Sequence, residues 1–277
     1  MDHPQFTVHA ATEESHWWFH GRLAIVQSLL TRILPPSKDT IIIDAGCGTG
    51  GMSGALIPSY DVRGIDPVEE AIAFARKKFP TIPFRVGSVP EDIQDWLKEA
   101  KGIVLLDVLE HVEEDFLFVS TLLAAMRPGT FLLLTAPADP TLWGEHDRGF
   151  AHCRRYTMER MRSLWKDLPV TELCVSPINA RLYWIVKCGR WLSRFLGRSL
   201  GPGSTDLGMP MRPINALLQW IFGGEKHRLL KVLELHGKPY RHGVSILALL
   251  QREPGEIVPR GRPANLPPDE APWLRNV

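Results

Sequence analysis

The apolar positions of this chain follow two alternating rhythms. Leu23, Val26, Leu30, Ile33 and Leu34 recur at helical spacing before Pro35-Pro36 stops them, so a helix is expected over residues 22–34. Short continuous apolar runs then take over: Ile41-Ile42-Ile43, Val62-Arg63-Gly64-Ile65, Phe84-Arg85-Val86, and residues 103–106 and 131–134. Helical stretches lie between them at 51–56, 67–78, 91–99 and 115–126, the last ended by Arg127-Pro128-Gly129. Strands that are apolar throughout are covered on both faces, and crossover helices supply the cover. The expected fold is therefore α/β, a doubly wound, mostly parallel sheet. Two late strands, near 170–175 and 244–250, complete it. The pattern divides the chain into an amino-terminal lid and helix (1–39), an α/β core (40–177), a helical cap rich in tryptophan, arginine and glycine (178–238), a final core strand (239–252) and a proline-rich tail sparse in aliphatics (253–277).

Composition narrows the function. With 277 residues, 44% hydrophobic and 23% charged, the chain can bury a sizeable core. Its net charge of +1 gives no field to hold phosphate backbones, so nucleic acid is not an expected partner. Cys47, Cys153, Cys174 and Cys188 show no C-x-x-C spacing, and the opening Met-Asp-His-Pro is no basic-then-apolar leader. Reduced thiols and a cytoplasmic location are expected. No apolar run approaches the roughly 18–20 residues that span a bilayer.

The densest chemical signal is the run from Ile41 through Asp44-Ala45-Gly46-Cys47-Gly48-Thr49-Gly50-Gly51, a strand entering a glycine-rich turn and a helix start. Glycines permit positive φ and close approach to a ligand, and the N–H groups of the helix start face the same point. A nucleotide-like cofactor belongs in that crevice, beyond the carboxyl end of the strand. Gly46, Gly48 and Gly51 also satisfy G-x-G-x-x-G, so an NAD(P)-dependent oxidoreductase is an alternative. Asp66 suits either reading. Asp44 favours a ligand with an ammonium group, because a pyrophosphate is repelled by a carboxylate there.

Residues 44–50 resemble the D-x-G-x-G-x-G motif of class I S-adenosylmethionine methyltransferases. The resemblance implies a Rossmann-like class I methyltransferase fold with S-adenosylmethionine as cofactor. It implies that Gly46, Cys47, Gly48 and Gly50 cradle the methionyl part and that Asp44 holds its amino end. Asp66 and Pro67, closing the second strand, would meet the ribose. Ser88 and Val89, with serine where the family usually has an acid, would lie beside the adenine. Asp107 and Val108, leading into Leu109-Glu110-His111-Val112, resemble the fourth motif, which lines the floor between cofactor and acceptor. Residues 14–22 resemble an amino-terminal H-W-W-F-x-x-R stretch of one bacterial branch, which places Trp18 and Arg22 on the cofactor side. Residues 145–156 resemble that branch's G-H-x-R-R-Y loop, with His146, His152 and Tyr156 toward the acceptor.

Methyl transfer needs alignment and exclusion of water more than a single catalytic group, and a lid of Trp17, Trp18 and Phe19 suits the second need. Where the acceptor must lose a proton, His111 is the first candidate base, then His146 and His152, with Tyr156 orienting. Oxygen of a small-molecule, lipid-like or peptide-like acceptor is the expected nucleophile. Plainer roles fit several of these residues: Asp66 as a helix cap before Pro67, His111 as a histidine tied to backbone at a helix start. Asp107, Glu110 and His111, at D-x-x-E-H spacing, can converge on a divalent cation, although no metal is assigned. Residues 181–198 interleave basic with apolar and aromatic residues, as in a helix resting on an anionic membrane or a cap packed on the sheet. A non-catalytic module that binds S-adenosylmethionine or docks on membranes is the second alternative.

Overall fold

In the computed structural model, which describes residues 12–196, 208–264 and 266, the apolar runs become the centre of one seven-stranded sheet. In chain order the elements are α1 (Trp17–Ile33), β1 (Ser37–Ala45), α2 (Gly51–Leu56), β2 (Tyr60–Asp66), α3 (Glu69–Lys78), β3 (Phe84–Val86), α4 (Gln94–Leu97), β4 (Gly102–Leu106), α5 (Asp115–Ala125), β5 (Phe131–Pro137), α6 (Glu145–Gly149), α7 (Met158–Ser163), β6 (Val170–Ile178), α8 (Tyr183–Leu196), α9 (Arg212–Gly223), α10 (Lys226–Leu233) and β7 (Ser245–Arg252). The strand order is β3-β2-β1-β4-β5-β7-β6. The first five strands are parallel neighbours, and β7 inserts antiparallel between β5 and β6.

Alternate residues of the central strands feed two separate cores, as the period of two requires. Ile43, Ala45, Ile103, Leu105, Leu132 and Leu134 face a cluster with Phe116, Val119 and Leu122 of α5. Ile42, Val62, Val104, Leu106 and Leu133 face the other side, with Ile25, Val26, Leu29 and Leu30 of α1 and Leu229 of α10. Helices on both faces make the fold doubly wound, and every residue of β4 is buried.

Four local outcomes differ from the sequence reading. Helix α1 begins at Trp17, five residues before the expected start, because the His16 imidazole accepts the Trp18 N–H and caps it. Trp17 also donates its N–H to the Asn215 carboxamide of α9 and meets Phe222 edge-on, which fixes the early start. The segment expected as a helix at 91–99 is a 3-10 turn plus the single turn α4. The expected tail is ordered at its near end: Ile257 is buried in the α5-side core, and Arg260 donates its N–H to Ser120 Oγ at 2.8 Å. Residue 265 and residues 267–277 of that tail lie outside the described residues.

The cap helices carry the fourth difference. Trp184, Ile185, Trp191 and Leu192, one face of α8, are exposed, as are Ile214, Leu217 and Trp220 of α9. The aromatic face of α8 therefore does not pack on the sheet. No described helix is long and apolar enough to cross a membrane.

Candidate active site

A cavity of about 500 Å³ opens beyond the carboxyl ends of β1, β2 and β4 and reaches α8. The chain reverses there because β1 runs into its glycine turn. Gly46 takes φ +73°, and a Cβ would sit 2.3 Å from Val108 Cγ2, so only glycine lets this turn approach the end of β4. Gly48, at φ +53°, has nothing within 4 Å of where a Cβ would lie, which leaves its backbone open on that side.

Two carboxylates flank the turn. Asp44 is buried at the end of β1 and accepts the Ser53 hydroxyl at 2.6 Å; burial pushes its carboxyl up to about 6, against the pull of Ser53 and Arg22. Asp66 closes β2. Its Oδ2 accepts the Gly48 N–H and its Oδ1 the Val68 N–H, each at 2.9 Å, so it ties the glycine turn to the start of α3. Burial raises its pKa while those two N–H groups lower it.

A third carboxylate, Asp107, follows β4 in a left-handed conformation (φ 54°) that non-glycine residues seldom adopt. It persists because its environment over-determines it: its N–H donates to the Thr135 carbonyl, its Oδ1 accepts the Thr135 hydroxyl at 3.0 Å, and its Oδ2 is paired with the Arg22 guanidinium. Arg22 in turn lies 4.2 Å from the centroid of the Trp18 ring. The amino-terminal helix thus reaches across to the floor of the cavity.

Another wall is imidazole-rich. His111 and His152 stand edge to face with centroids 4.9 Å apart, and His146 is 6.0 Å from His152. Desolvation and the neighbouring His152 push His111 down to about 4, so its ring is neutral at neutral pH. Glu110 is buried beside them; burial and the adjacent Asp107 hold its carboxyl well above the usual range. Beneath this wall, Asp147 accepts from His152 Nδ1 at 3.0 Å, Arg155 Nε at 2.8 Å and the Gly144 N–H at 2.8 Å, with Arg190 of α8 at 3.6 Å. Burial opposes its charge, but the His152 bond and the Arg155 and Arg190 guanidinium groups hold its pKa well below the usual carboxylate value.

Of the residues singled out in the sequence, Asp44, Gly46, Cys47, Gly48, Asp66, Pro67, Asp107, Val108, Trp18, Arg22, His111, His146 and His152 all line this cavity. Tyr156 does not, and its expected place facing an acceptor is corrected. Its ring is fully buried, and its hydroxyl meets Asp115 Oδ2 at 2.8 Å and the Leu109 carbonyl at 3.1 Å. Its neighbour Arg155 lines the cavity instead. Gly50, Ser88 and Val89 are also away from the lining: Gly50 caps α2, Ser88 donates its N–H to Asp92, and Val89 packs on the core. Glu13, Asn179, Val186 and Arg190 line the cavity without a motif to announce them. Glu13 accepts the Thr49 hydroxyl at 2.7 Å, which lays the amino-terminal segment on the glycine turn.

A family model described as a methyltransferase domain matches residues 18–195. The chain belongs to this methyltransferase family. Among curated proteins it is 29% identical over 126 residues to one of Mycolicibacterium smegmatis named a probable S-adenosylmethionine-dependent methyltransferase, covering 45% of this chain and 47% of that one. It is 31% identical over 128 residues to the human mitochondrial ubiquinone biosynthesis O-methyltransferase, covering 41% and 35%. The matches thus span less than half the length of these relatives. The plantazolicin methyltransferase BpumL, solved with S-adenosylhomocysteine, superposes with a TM-score of 0.53 over 90% of both chains at 14% identity, which shows the shared fold.

The methyltransferase family uses S-adenosylmethionine, and the residues present fit that group. The open backbone at Gly48 offers room for a ligand, while Asp44 and Asp66 supply acceptors for an ammonium group and for hydroxyls.

Proposed function

We propose that this chain transfers a methyl group from S-adenosylmethionine to an oxygen of a small or lipid-like acceptor. The observation that carries the reading is one cavity with two chemically distinct walls: carboxylates around a glycine turn, and imidazoles beneath a cap helix. The relative named as an O-methyltransferase supports oxygen. We also place the chain in the bacterial branch with the amino-terminal H-W-W-F-x-x-R stretch, since Trp17, Trp18 and Arg22 line the cavity from α1.

When bound, the cofactor supplies an electrophilic methyl carbon on a sulfonium. Asp44 would accept from its ammonium, Arg22 would meet its carboxylate, and Asp66 would accept its ribose hydroxyls through lone pairs its backbone bonds leave over. Trp17 and Trp18 exclude water from that side. The imidazoles of His111, His146 and His152 surround the acceptor's place, where a neutral ring can take a proton from a hydroxyl. Of the cap expected over 178–238, α8 contributes Val186 and Arg190 to the wall over that place.

Calorimetry with S-adenosylmethionine, S-adenosylhomocysteine and NAD tests the cofactor, and transfer of an isotopically labelled methyl group to a panel of hydroxyl acceptors tests the reaction. Binding of NAD in place of the two sulfur ligands ends the proposal.

The protonation of Asp44 gives the reading a pH signature. An ammonium ligand needs this carboxyl ionised, so affinity for S-adenosylhomocysteine should fall about tenfold per pH unit below about 6 and level off above it. Asp44→Asn should bind weakly at every pH and lose the slope. In the ligand-free protein the sign is opposite: a raised folded-state pKa favours folding in acid, fully below about 4 and no longer above about 6. Titrations at pH 5 and pH 7 decide; equal affinities mean Asp44 does not face the ammonium.

Membrane docking through the cap is the second part of the proposal. Residues 181–198 contain no acid and carry five basic residues, of which Lys187 and Arg190 are engaged by Asp139 and Asp147 and Arg181, Arg194 and Arg198 remain as the basic charge of this stretch, while α8 and α9 expose the apolar faces described above. Apolar area together with basic charge suits an anionic lipid surface. The protein should float with vesicles containing anionic lipid and not with purely zwitterionic ones, and Trp184→Ala/Trp191→Ala should abolish flotation. Equal flotation with both vesicle types, or with neither, defeats this part.

A further inference from the structure

We propose that Glu110, His111 and His152 form a site for a divalent transition-metal cation, which holds an oxygen of the acceptor in the imidazole-rich wall of the cavity. The candidate ligand atoms of these three side chains all lie within 4.8 Å of one another. An ion with bonds of about 2.0–2.2 Å holds tetrahedral ligand atoms about 3.3–3.6 Å apart, so side-chain rotations that draw these atoms together by about 1 Å close the shell. Two imidazoles and one carboxylate form a donor set that zinc and ferrous iron both accept, with positions left for water or substrate oxygen.

Two further observations point to an ion. Glu110 is only 1% exposed and lines the cavity, yet its Oε2 has no hydrogen-bond partner. A buried carboxylate oxygen without a donor is costly, and a cation on the cavity side supplies what is missing. The second is the support behind each ring. His152 is held through Nδ1 by the buried Asp147, which leaves Nε2 to a ligand, and the Ala151 backbone carbonyl accepts from the His111 ring. Carboxylate and carbonyl partners of this kind fix the tautomer and orientation of metal-binding histidines. Asp107, the third member of the D-x-x-E-H spacing, is instead paired with Arg22 and Thr135, so His152 takes its place in the set.

The consequence for the acceptor rests on the methyl-transfer reading; binding of the ion does not. A hydroxyl oxygen on the ion loses its proton more readily, as metal-bound water does. The O–H bond breaks and its electron pair stays on the oxygen, which bonds the methyl carbon as the carbon–sulfur bond breaks and leaves its pair on the now neutral sulfur; the proton passes to water or to His146, which lies outside the donor set. The favoured acceptor then has a second oxygen near the first, as in a vicinal diol, a catechol or a hydroxy acid, so that both can bind one ion.

The test uses the full chain stripped with chelator, titrated with Co²⁺ by absorption spectroscopy and with Zn²⁺ by calorimetry. One equivalent should bind, with Co²⁺ bands typical of mixed nitrogen and oxygen ligation. His111→Ala, His152→Ala and Glu110→Gln should each weaken binding at least about 100-fold, the upper end of what losing an outer-shell partner costs. His111 is exposed, so its variant tests the site even where Glu110→Gln does not fold. Absence of saturable binding to the folded protein overturns the site, as does an affinity unchanged in His111→Ala and His152→Ala. Parallel titration with S-adenosylhomocysteine separates the two ideas: sulfur ligand bound without cation removes only the metal, and cation bound without sulfur ligand removes only the methyl donor.

Discussion

Asp147→Ala should lower the unfolding free energy by about 3–5 kcal/mol, the range for breaking a buried ion pair from one side. The carboxylate is fully buried and gathers four groups from three segments: the Gly144 N–H before α6, His152 and Arg155 in the loop after it, and Arg190 of α8. Its loss removes the charge facing the buried Arg155 guanidinium and strips His152 of its Nδ1 partner. The damage therefore reaches the cavity as well as the fold. Because the folded-state pKa of Asp147 is depressed, its contribution is present above the ordinary carboxylate value and is lost as the pH falls below about 4. Urea unfolding of variant and wild type at pH 7 and pH 3.5 checks both points. The gap should be wide at pH 7 and narrower at pH 3.5, and a gap under about 1 kcal/mol at pH 7 means the network is not cooperative.

That network shows what a linear pattern cannot carry. The central strands were legible because continuous apolar runs such as Ile103-Val104-Leu105-Leu106 have one stable setting, a strand covered on both faces. The glycine turn was legible because three glycines with Asp44 before them constrain the backbone locally. Asp147, by contrast, sits in Glu145-His146-Asp147-Arg148 of the loop expected over 145–156, where nothing in the local pattern marks it for burial; only Arg155 and Arg190, brought from elsewhere in the chain, make it a buried hub. Glu13 was missed for the same reason, since nothing nearby in sequence announces its bond to Thr49.

The loop that ends Arg154-Arg155-Tyr156 went wrong in a related way. Residue types alone do not say which of three adjacent side chains turns to the cavity. The Ala138–Tyr156 bridge, which continues from the end of β5, sends Tyr156 inward to Asp115 and leaves Arg155 at the wall. For the cap helix α8, spacing identified an apolar face but not whether anything covers it, and the structure leaves Trp184 and Trp191 outside. The early start of α1 has a different cause: histidine is an uncommon cap, so His16 gave no stop-start signal of the kind serine or aspartate gives.

Asp66→Ala should weaken binding of S-adenosylhomocysteine by about 1–3 kcal/mol, the worth of charge-assisted hydrogen bonds to a ribose. The same carboxylate has a structural duty, because its two oxygens hold the Gly48 and Val68 N–H groups. Alanine removes both bonds at once, so a loss of affinity could come from a loosened glycine turn and not from a lost ribose contact. Asp66→Asn does not separate the two, because its oxygen keeps one backbone N–H while its NH₂ sets a donor against the other. Analogues of the ligand do, since removing a ribose hydroxyl leaves the turn intact. If the ribose reading holds, 2′-deoxy and 3′-deoxy analogues bind the wild type as weakly as the intact ligand binds the alanine variant, and they bind that variant no more weakly than the intact ligand does. Full affinity in a folded alanine variant would reduce Asp66 to a cap on α3, and the turn at Gly46 and Gly48 would then have to hold the nucleoside without it.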